Sequence, residues 1–536
     1  MQKITLITLI LALLLLPGLQ SCQTRGNFSH QNSKSIPLDS TSIATFFESR
    51  PAIKKYEKEL TFIYRNYDFM PLWMDEKEIR QQGNELYNKF LSIEDEGIYS
   101  TFPYQPQLEE IFNTKPRKLH NPTEADLLLT SLYLYYVDEV YHGLDPNTTT
   151  KLGWLLPRKE VEPAVLLDTI IADQQLEQAD SLLLFNQYYR LRDALKHYRT
   201  IEEKGGWGMI ETEENQKPFR PRDSARTIQQ VRERLFITGE LVTNSRSAVY
   251  DEELAEAVQK YQIRNGFIAD TLIRAQHLAS MNVPVAERIR DIVVNMERCR
   301  WISPEIFEAD QFIFVNIPAY RMNIFKEGKA VFDSPVVVGD QMTKTVIFGG
   351  MMSYIVFSPY WNLPQSIIDN EVIPAMKKDK DYLKKHNMEW NNGQVRQLPG
   401  RYNSLGLVKF MFPNSNDIYL HDSPAKSLFK KEDRAKSHGC VRVGMARDLA
   451  LSLLQDDENW TPQKIDAAMR AGKETSYSLK KEIPVYIGYF TTWVDEDGHL
   501  NFYKDVYNRD ERLAELLVQG HNQIMANGKR PHEFLD

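Results

Sequence analysis

Ile418-Tyr419-Leu420-His421, a gap of fifteen residues, and then Ser437-His438-Gly439-Cys440-Val441-Arg442 form the stretch around which the C-terminal half of this chain is read. The first run is β-branched and aromatic, so it predicts a strand that ends on His421 and holds it in a fixed orientation. The second is small and polar around Cys440 with no helical apolar stripe, which predicts an accessible thiol on a turn. A thiol is a nucleophile only as thiolate, and a nearby imidazole both takes its proton and steadies the anion. His421 is the better-placed base. His438 stands two residues from the thiol on the same turn, where neighbours rarely point together, and keeps a supporting role. Gly439 permits a tight turn, so the amides of Gly439 and Cys440 can face a developing oxyanion. Arg442 can grip a substrate carboxylate with two hydrogen bonds. A zinc shell of His421, Asp422, His438 and Cys440 lacks any Cys-x-x-Cys or His-x-x-x-His pair and crowds its ligands on one turn. No metal and no cofactor is expected.

Outward from this stretch the period stays at two. Phe312 to Ile317, Pro335 to Val338, Tyr354 to Phe357, Pro484 to Val494 and Leu500 to Tyr503 read as strands of a mainly-β domain over 311–515. Asp495-Glu496-Asp497-Gly498 suggests a calcium loop, but the first ligand would fall on Trp493, so a hairpin turn is the better reading. An excursion at about 362–400, with apolar anchors Ile367, Ile368, Tyr382 and Trp390, is too long for an ordinary connection and predicts a lid.

Upstream the pattern is helical. Asn121 as cap, Pro122 in the first turn, Glu124 closing a capping box, a stripe of Leu128, Leu132, Tyr136 and Val140, and Gly143 as stop define one helix of an all-α scaffold over 41–225. A small helical unit follows at 226–284, then a connecting helix within 285–310. In that helix Ile289, Ile292, Val293, Met296 and Cys299 share one face, so Cys299 reads as a buried small hydrophobe rather than a disulfide partner of Cys440. Residues 516–536 are a tail. The class is multidomain α+β.

Lys3, an apolar run from Ile4 to Leu19 and Leu19-Gln20-Ser21-Cys22 predict a signal peptide over 1–22. The run falls short of the roughly 20 residues that span a bilayer. Residues 23–40 are a polar linker. A formal charge of −8 and a pI near 5.9 leave no broad basic surface, so nucleic acid is excluded as an expected partner.

Three resemblances extend this reading. Leu-x-Ser-Cys resembles a bacterial lipoprotein box, which implies lipidation at Cys22 and a periplasmic protein of the cell envelope, held to a membrane through its lipid anchor. Ala257 to Gly266 followed by Asp270 resembles a small peptidoglycan-binding domain, although Thr271 stands where that family has glycine. His421 with Ser437 to Arg442 resembles the L,D-transpeptidase (YkuD-like) signature. Pro335 to Gly339, Pro359-x-Trp361-x-x-Pro364, Phe412-Pro413-Asn414 and Tyr419-x-His421-Asp422 extend that match. The order of parts resembles the large YcbB-like members. The resemblance implies that Cys440 forms a thioester with a tetrapeptide stem of peptidoglycan and that the Asp422 carbonyl orients His421. It also implies that Tyr419, Arg442, Ser437, Asp422 and Trp361 contact substrate and that carbapenem-type inhibitors acylate the thiol. Passing the acyl group to an amine makes a cross-link; passing it to water makes an L,D-carboxypeptidase. A wall-binding scaffold with a vestigial site is the reading from another class. The family's usual proline after Thr345 is missing, which bears on substrate fit at the neighbouring hairpin.

Overall fold

The computed structural model describes residues 38–525 apart from 76–77, 114–120, 174–182, 213–216 and 308. The signal segment, Cys22, most of the linker and the end of the tail lie outside the described residues. The first domain begins inside the expected linker: Leu38 is buried and Asp39 caps the helix Ser40–Glu48 by accepting the Ser42 amide.

The helix expected after Asn121 is Pro122–Tyr136, continued as a π-helix over Val137–His142 and stopped at Gly143 with φ 63°. Asn121 Oδ1 accepts the Glu124 amide at 3.2 Å. The stripe reading understates this helix, because every residue from Ala125 to Tyr136 is buried. It runs through the middle of the scaffold rather than along its surface, and even Asp126 is enclosed. The amides of Leu72, Trp73 and Met74 satisfy that carboxylate, as burial of a charge requires. The scaffold is also not purely helical. Met74–Asp75 pairs with Glu78–Ile79, and Trp154–Leu155 leaves the scaffold to pair in parallel with Ile347 and Phe348 of the β-domain.

The helical unit has its own core of Ile228, Val231, Leu235, Leu254, Val258, Tyr261 and Leu278, which Ile210 joins from before the expected boundary at 226. Thr271 is held at φ 63°, the left-handed region in which glycine is at ease. The unit is docked on the β-domain, with Arg264 Nε donating to the Leu500 carbonyl at 2.7 Å and the Ile268 amide to Glu432 at 3.1 Å.

The connecting helix is Val285–Arg300, and the Cys299 thiol is fully buried and free. Its polar side is buried as well. Glu297 pairs with Arg300 at 3.0 Å and accepts the Leu144 amide at 2.6 Å, while Arg300 donates to the carbonyls of Val140 and Glu96. On the other side Arg298 pairs with Asp510 at 2.6 Å and Asn295 bonds Thr491. One hydrophobic core therefore runs from the scaffold through this helix into the β-domain.

There the strands close on themselves. Ile347–Phe357 pairs Val408–Met411, then follow Leu420–His421, Val441–Val443, Lys329–Gly339, Arg321–Lys326, Gln311–Asn316 and Thr475–Gly488, which pairs Ile347–Phe357 again. The expected run Pro484 to Val494 divides into the end of Thr475–Gly488 and a separate strand Thr492–Val494, which makes a hairpin with Leu500–Phe502. Asp495 caps that turn through the Asp497 and His499 amides. The expected end of the domain at 515 cuts a helix, Asp510–Met525.

The excursion is an ordered subdomain. Trp361–Asn362, Gln394–Gln397 and Met388–Asn391 form a three-stranded sheet, and Leu363, Ile367, Ile368, Val372 and Val395 a small separate core. Trp390 is not an anchor: it sits on the edge strand of that sheet and is 51% exposed.

Candidate active site

The strand Leu420–His421 lies parallel to Val441–Val443 with Leu420 opposite Val441 and His421 opposite Arg442. The Val441 amide donates to the Tyr419 carbonyl at 3.2 Å, which carries the register back one residue and sets Tyr419 abreast of Cys440. Side chains alternate along a strand, so Tyr419, His421, Cys440 and Arg442 rise from one face of the sheet. Sequence spacing brought two pairs; strand register makes them a quartet.

His421 is buried, and its Nδ1 meets the Asp422 carbonyl at 2.6 Å. A carbonyl only accepts, so Nδ1 carries the hydrogen and the lone pair lies on Nε2. Burial and then the Arg442 charge hold this imidazole down to a pKa of about 4. Burial also pushes the Cys440 thiol up, against the hydrogen bonds it shares with Tyr419. Both effects favour uncharged forms, so the resting pair is thiol and neutral imidazole. The Cys440 Sγ lies 3.6 Å from the Asp417 carbonyl and shares a hydrogen bond with the Tyr419 hydroxyl. A hydrogen bond from this thiol to His421 is not made in the resting geometry.

The turn before the thiol is tied down from behind. Gly439 has φ 119°, a conformation side chains oppose. Ser437 Oγ donates to the Cys440 carbonyl at 2.6 Å and accepts the Gly439 amide at 3.2 Å, while Thr345 Oγ1 donates to the Gly439 carbonyl at 2.7 Å. Thr345 in turn accepts the Gly339 amide at 2.8 Å, and the Tyr507 hydroxyl bridges the Thr345 amide and the Gly339 carbonyl.

Several expected roles change. The Gly439 amide is spent inside the turn; among the described residues the Cys440 amide has no such partner and is the donor left for an oxyanion. Ser437 is buried and its hydroxyl shapes the turn. The Asp422 carboxylate accepts the Leu407 amide at 3.0 Å and pairs with Lys426 at 2.6 Å, which fixes the residue whose carbonyl orients His421. Gly406 presses on it so closely that a Cβ there would come within 2.3 Å of Asp422 Oδ2. His438 is exposed and turned away, with Nε2 3.1 Å from Glu371 of the lid. Trp361 packs on the lid's own core. Arg442 stays at the site: burial lowers its pKa and its Nε is enclosed without a partner. The turn-holding role of Thr345 and the contacts of Tyr507 and Glu371 escaped the sequence reading, since they lie 67 to 95 residues from Cys440 and only folding joins them.

A closed β-domain with a thiol and an oriented imidazole on one face, built onto a helical scaffold, is the class that fold and site define. Residues 310–458 match the L,D-transpeptidase catalytic domain and residues 58–195 the scaffold domain that accompanies it. The chain thus carries the L,D-transpeptidase catalytic domain together with an N-terminal scaffold domain, the combination of the YcbB-like form. A Haemophilus influenzae protein provisionally named an L,D-transpeptidase is 31% identical over 296 residues, which are 50% of this chain and 58% of that protein. The chain thus spans little more than half the length of that relative. Among solved structures, an L,D-transpeptidase from Stackebrandtia nassauensis is 13% identical with a TM-score of 0.24, covering 52% of this chain and 97% of that one. An LD transpeptidase in complex with imipenem is 11% identical with a TM-score of 0.19, covering 33% and 59%. Likenesses this distant carry no argument about this chain.

Proposed function

We propose that the chain is a peptidoglycan L,D-transpeptidase working by a thioester, and the observation that carries the reading is the shared face of Cys440, Tyr419 and His421, with His421 fixed through Nδ1. Turning Cys440 about its one side-chain torsion frees the thiol from Asp417, and contacts of this kind commonly tighten only when substrate arrives. His421 Nε2 then takes the thiol proton as Sγ attacks the carbonyl between the third stem residue and the terminal D-alanine. The Cys440 amide receives the oxyanion. The C–N bond breaks, the D-alanine amine leaves with the proton from His421, and an acyl thioester remains. An acceptor amine attacks it, giving its proton to His421 and returning the thiol. Arg442 supplies a counter-charge for a donor carboxylate. Because its charge helps to hold His421 down, an anion bound there raises the basicity of the imidazole as the reaction begins.

Carbapenem acylation would follow the same path. The Leu19 to Cys22 sequence supports a diacylated, periplasmic form. Protein lacking residues 1–22, incubated with a tetrapeptide stem or a carbapenem, should gain one acyl adduct at Cys440 by mass spectrometry. An adduct elsewhere, or turnover by Cys440→Ser, would overturn the mechanism. Product analysis with and without an acceptor stem separates cross-linking from hydrolysis.

A further inference from the structure

The row of residues that crosses the sheet at His421 has a cation on each side. Lys409 of Val408–Met411 is the register partner of His421 on one flank, and Arg442 is its partner on the other. By the alternation of side chains all three rise from the same face. Adjacent strands lie about 4.8 Å apart, so the two cationic residues are rooted roughly 10 Å from each other with the imidazole between them. The Lys409 ammonium leans toward the thiol: it lies 5.9 Å from the centre of the Tyr419 ring, whose hydroxyl touches Cys440.

Among the described residues no carboxylate pairs with Lys409 or Arg442, and the buried Arg442 Nε lacks any partner. Glu474 is the acid that favours the charged form of Lys409, but it is exposed and its carboxylate is occupied by the Tyr360 amide at 2.8 Å. Burial opposes the charge on both residues. Two half-enclosed cations without counter-ions, on either side of a catalytic base, are a poor arrangement for an empty site and a good one for a ligand that brings two negative charges.

We propose that Lys409 and Arg442 form a two-cation cradle for donor stems carrying two carboxylates, one on the terminal residue and one on the side chain of the third residue, with Lys409 as the specificity-determining residue. The cradle rests on the transpeptidase reading only for the identity of the donor. A third residue of the diaminopimelate type places its side-chain carboxylate on Lys409. Such a residue also carries an ammonium on the same carbon, so amidating the carboxylate leaves only a positive end beside Lys409, and a third residue ending in an amine alone meets the same like charge.

The test measures binding apart from turnover. In Cys440→Ala protein, calorimetry compares a tetrapeptide bearing the free side-chain carboxylate with the same tetrapeptide amidated at that carboxylate. The free acid should bind about tenfold tighter, the scale of one hydrogen-bonded charge pair. Adding Lys409→Met should erase the difference by weakening only the free acid, and Lys409→Arg should restore most of it. Equal binding of the two stems, or equal weakening of both by Lys409→Met, would overturn the cradle. Wild-type protein that selects the free acid yet never acylates Cys440 would overturn the proposed function and leave the cradle standing.

Discussion

The sheet face that carries the thiol and the lid that stands beside it are held together by different physics. On the sheet, the Gly439 amide and carbonyl and the Cys440 carbonyl are bonded to Ser437 and Thr345, which Tyr507 and the neighbouring strands hold in turn. The lid has a core of five buried apolar residues of its own and meets the catalytic motif through His438 and Glu371, each more than half exposed. Catalytic groups must be positioned to fractions of an ångström, whereas an element that admits substrate must move. The excursion has its own packing, so it is expected to shift as a unit without loosening the floor.

That contrast can be broken from either side. The largest effect is expected at Thr345. Thr345→Val leaves the buried Gly439 carbonyl and Gly339 amide unbonded, and stability should fall by about 3 kcal/mol in denaturant titration, with acylation of Cys440 slowed as the turn relaxes. A loss below about 1 kcal/mol would mean the turn is not held from behind. Acid comes next. The folded pKa of His421 lies below its unfolded value, so its contribution is complete above about pH 6.5 and is lost as pH falls toward 4. The loss should reach about 2 kcal/mol at pH 5, and His421→Asn should remove that part of the pH dependence. Parallel stability curves for the two proteins would show that His421 titrates freely. The smallest effect belongs to the lid contact: Glu371→Gln weakens an exposed contact with His438 and should change stability by no more than about 0.5 kcal/mol. A larger loss would show that lid and floor unfold as one.

How much of this could be read beforehand follows from the range of the interactions. The strand ending on His421, the tight turn at Gly439, the cap at Asn121 and the burial of Cys299 rest on neighbours in sequence, and periodicity exposes them. The reading of Trp390 as an anchor failed because periodicity does not tell an edge strand from a covered one. The structural parts played by Ser437 and Asp422 were hidden for another reason. A polar side chain in a motif can serve the backbone as readily as a ligand, and only the partners decide. Lys409 was overlooked because a lysine between Val408 and Phe410 looks like ordinary alternation until strand pairing puts it beside His421.

Trp154–Leu155 fills the seam of the β-domain where Ile347 and Phe348 would otherwise show a bare edge, since Val408–Met411 reaches only Tyr354 to Phe357. An unpaired edge is an invitation to foreign strands. The scaffold is thus a missing stave of the barrel, and the two halves are not interchangeable parts. A chimera that exchanged catalytic domains between relatives would have to carry this strand with its seam, and descent is expected to have kept the two together.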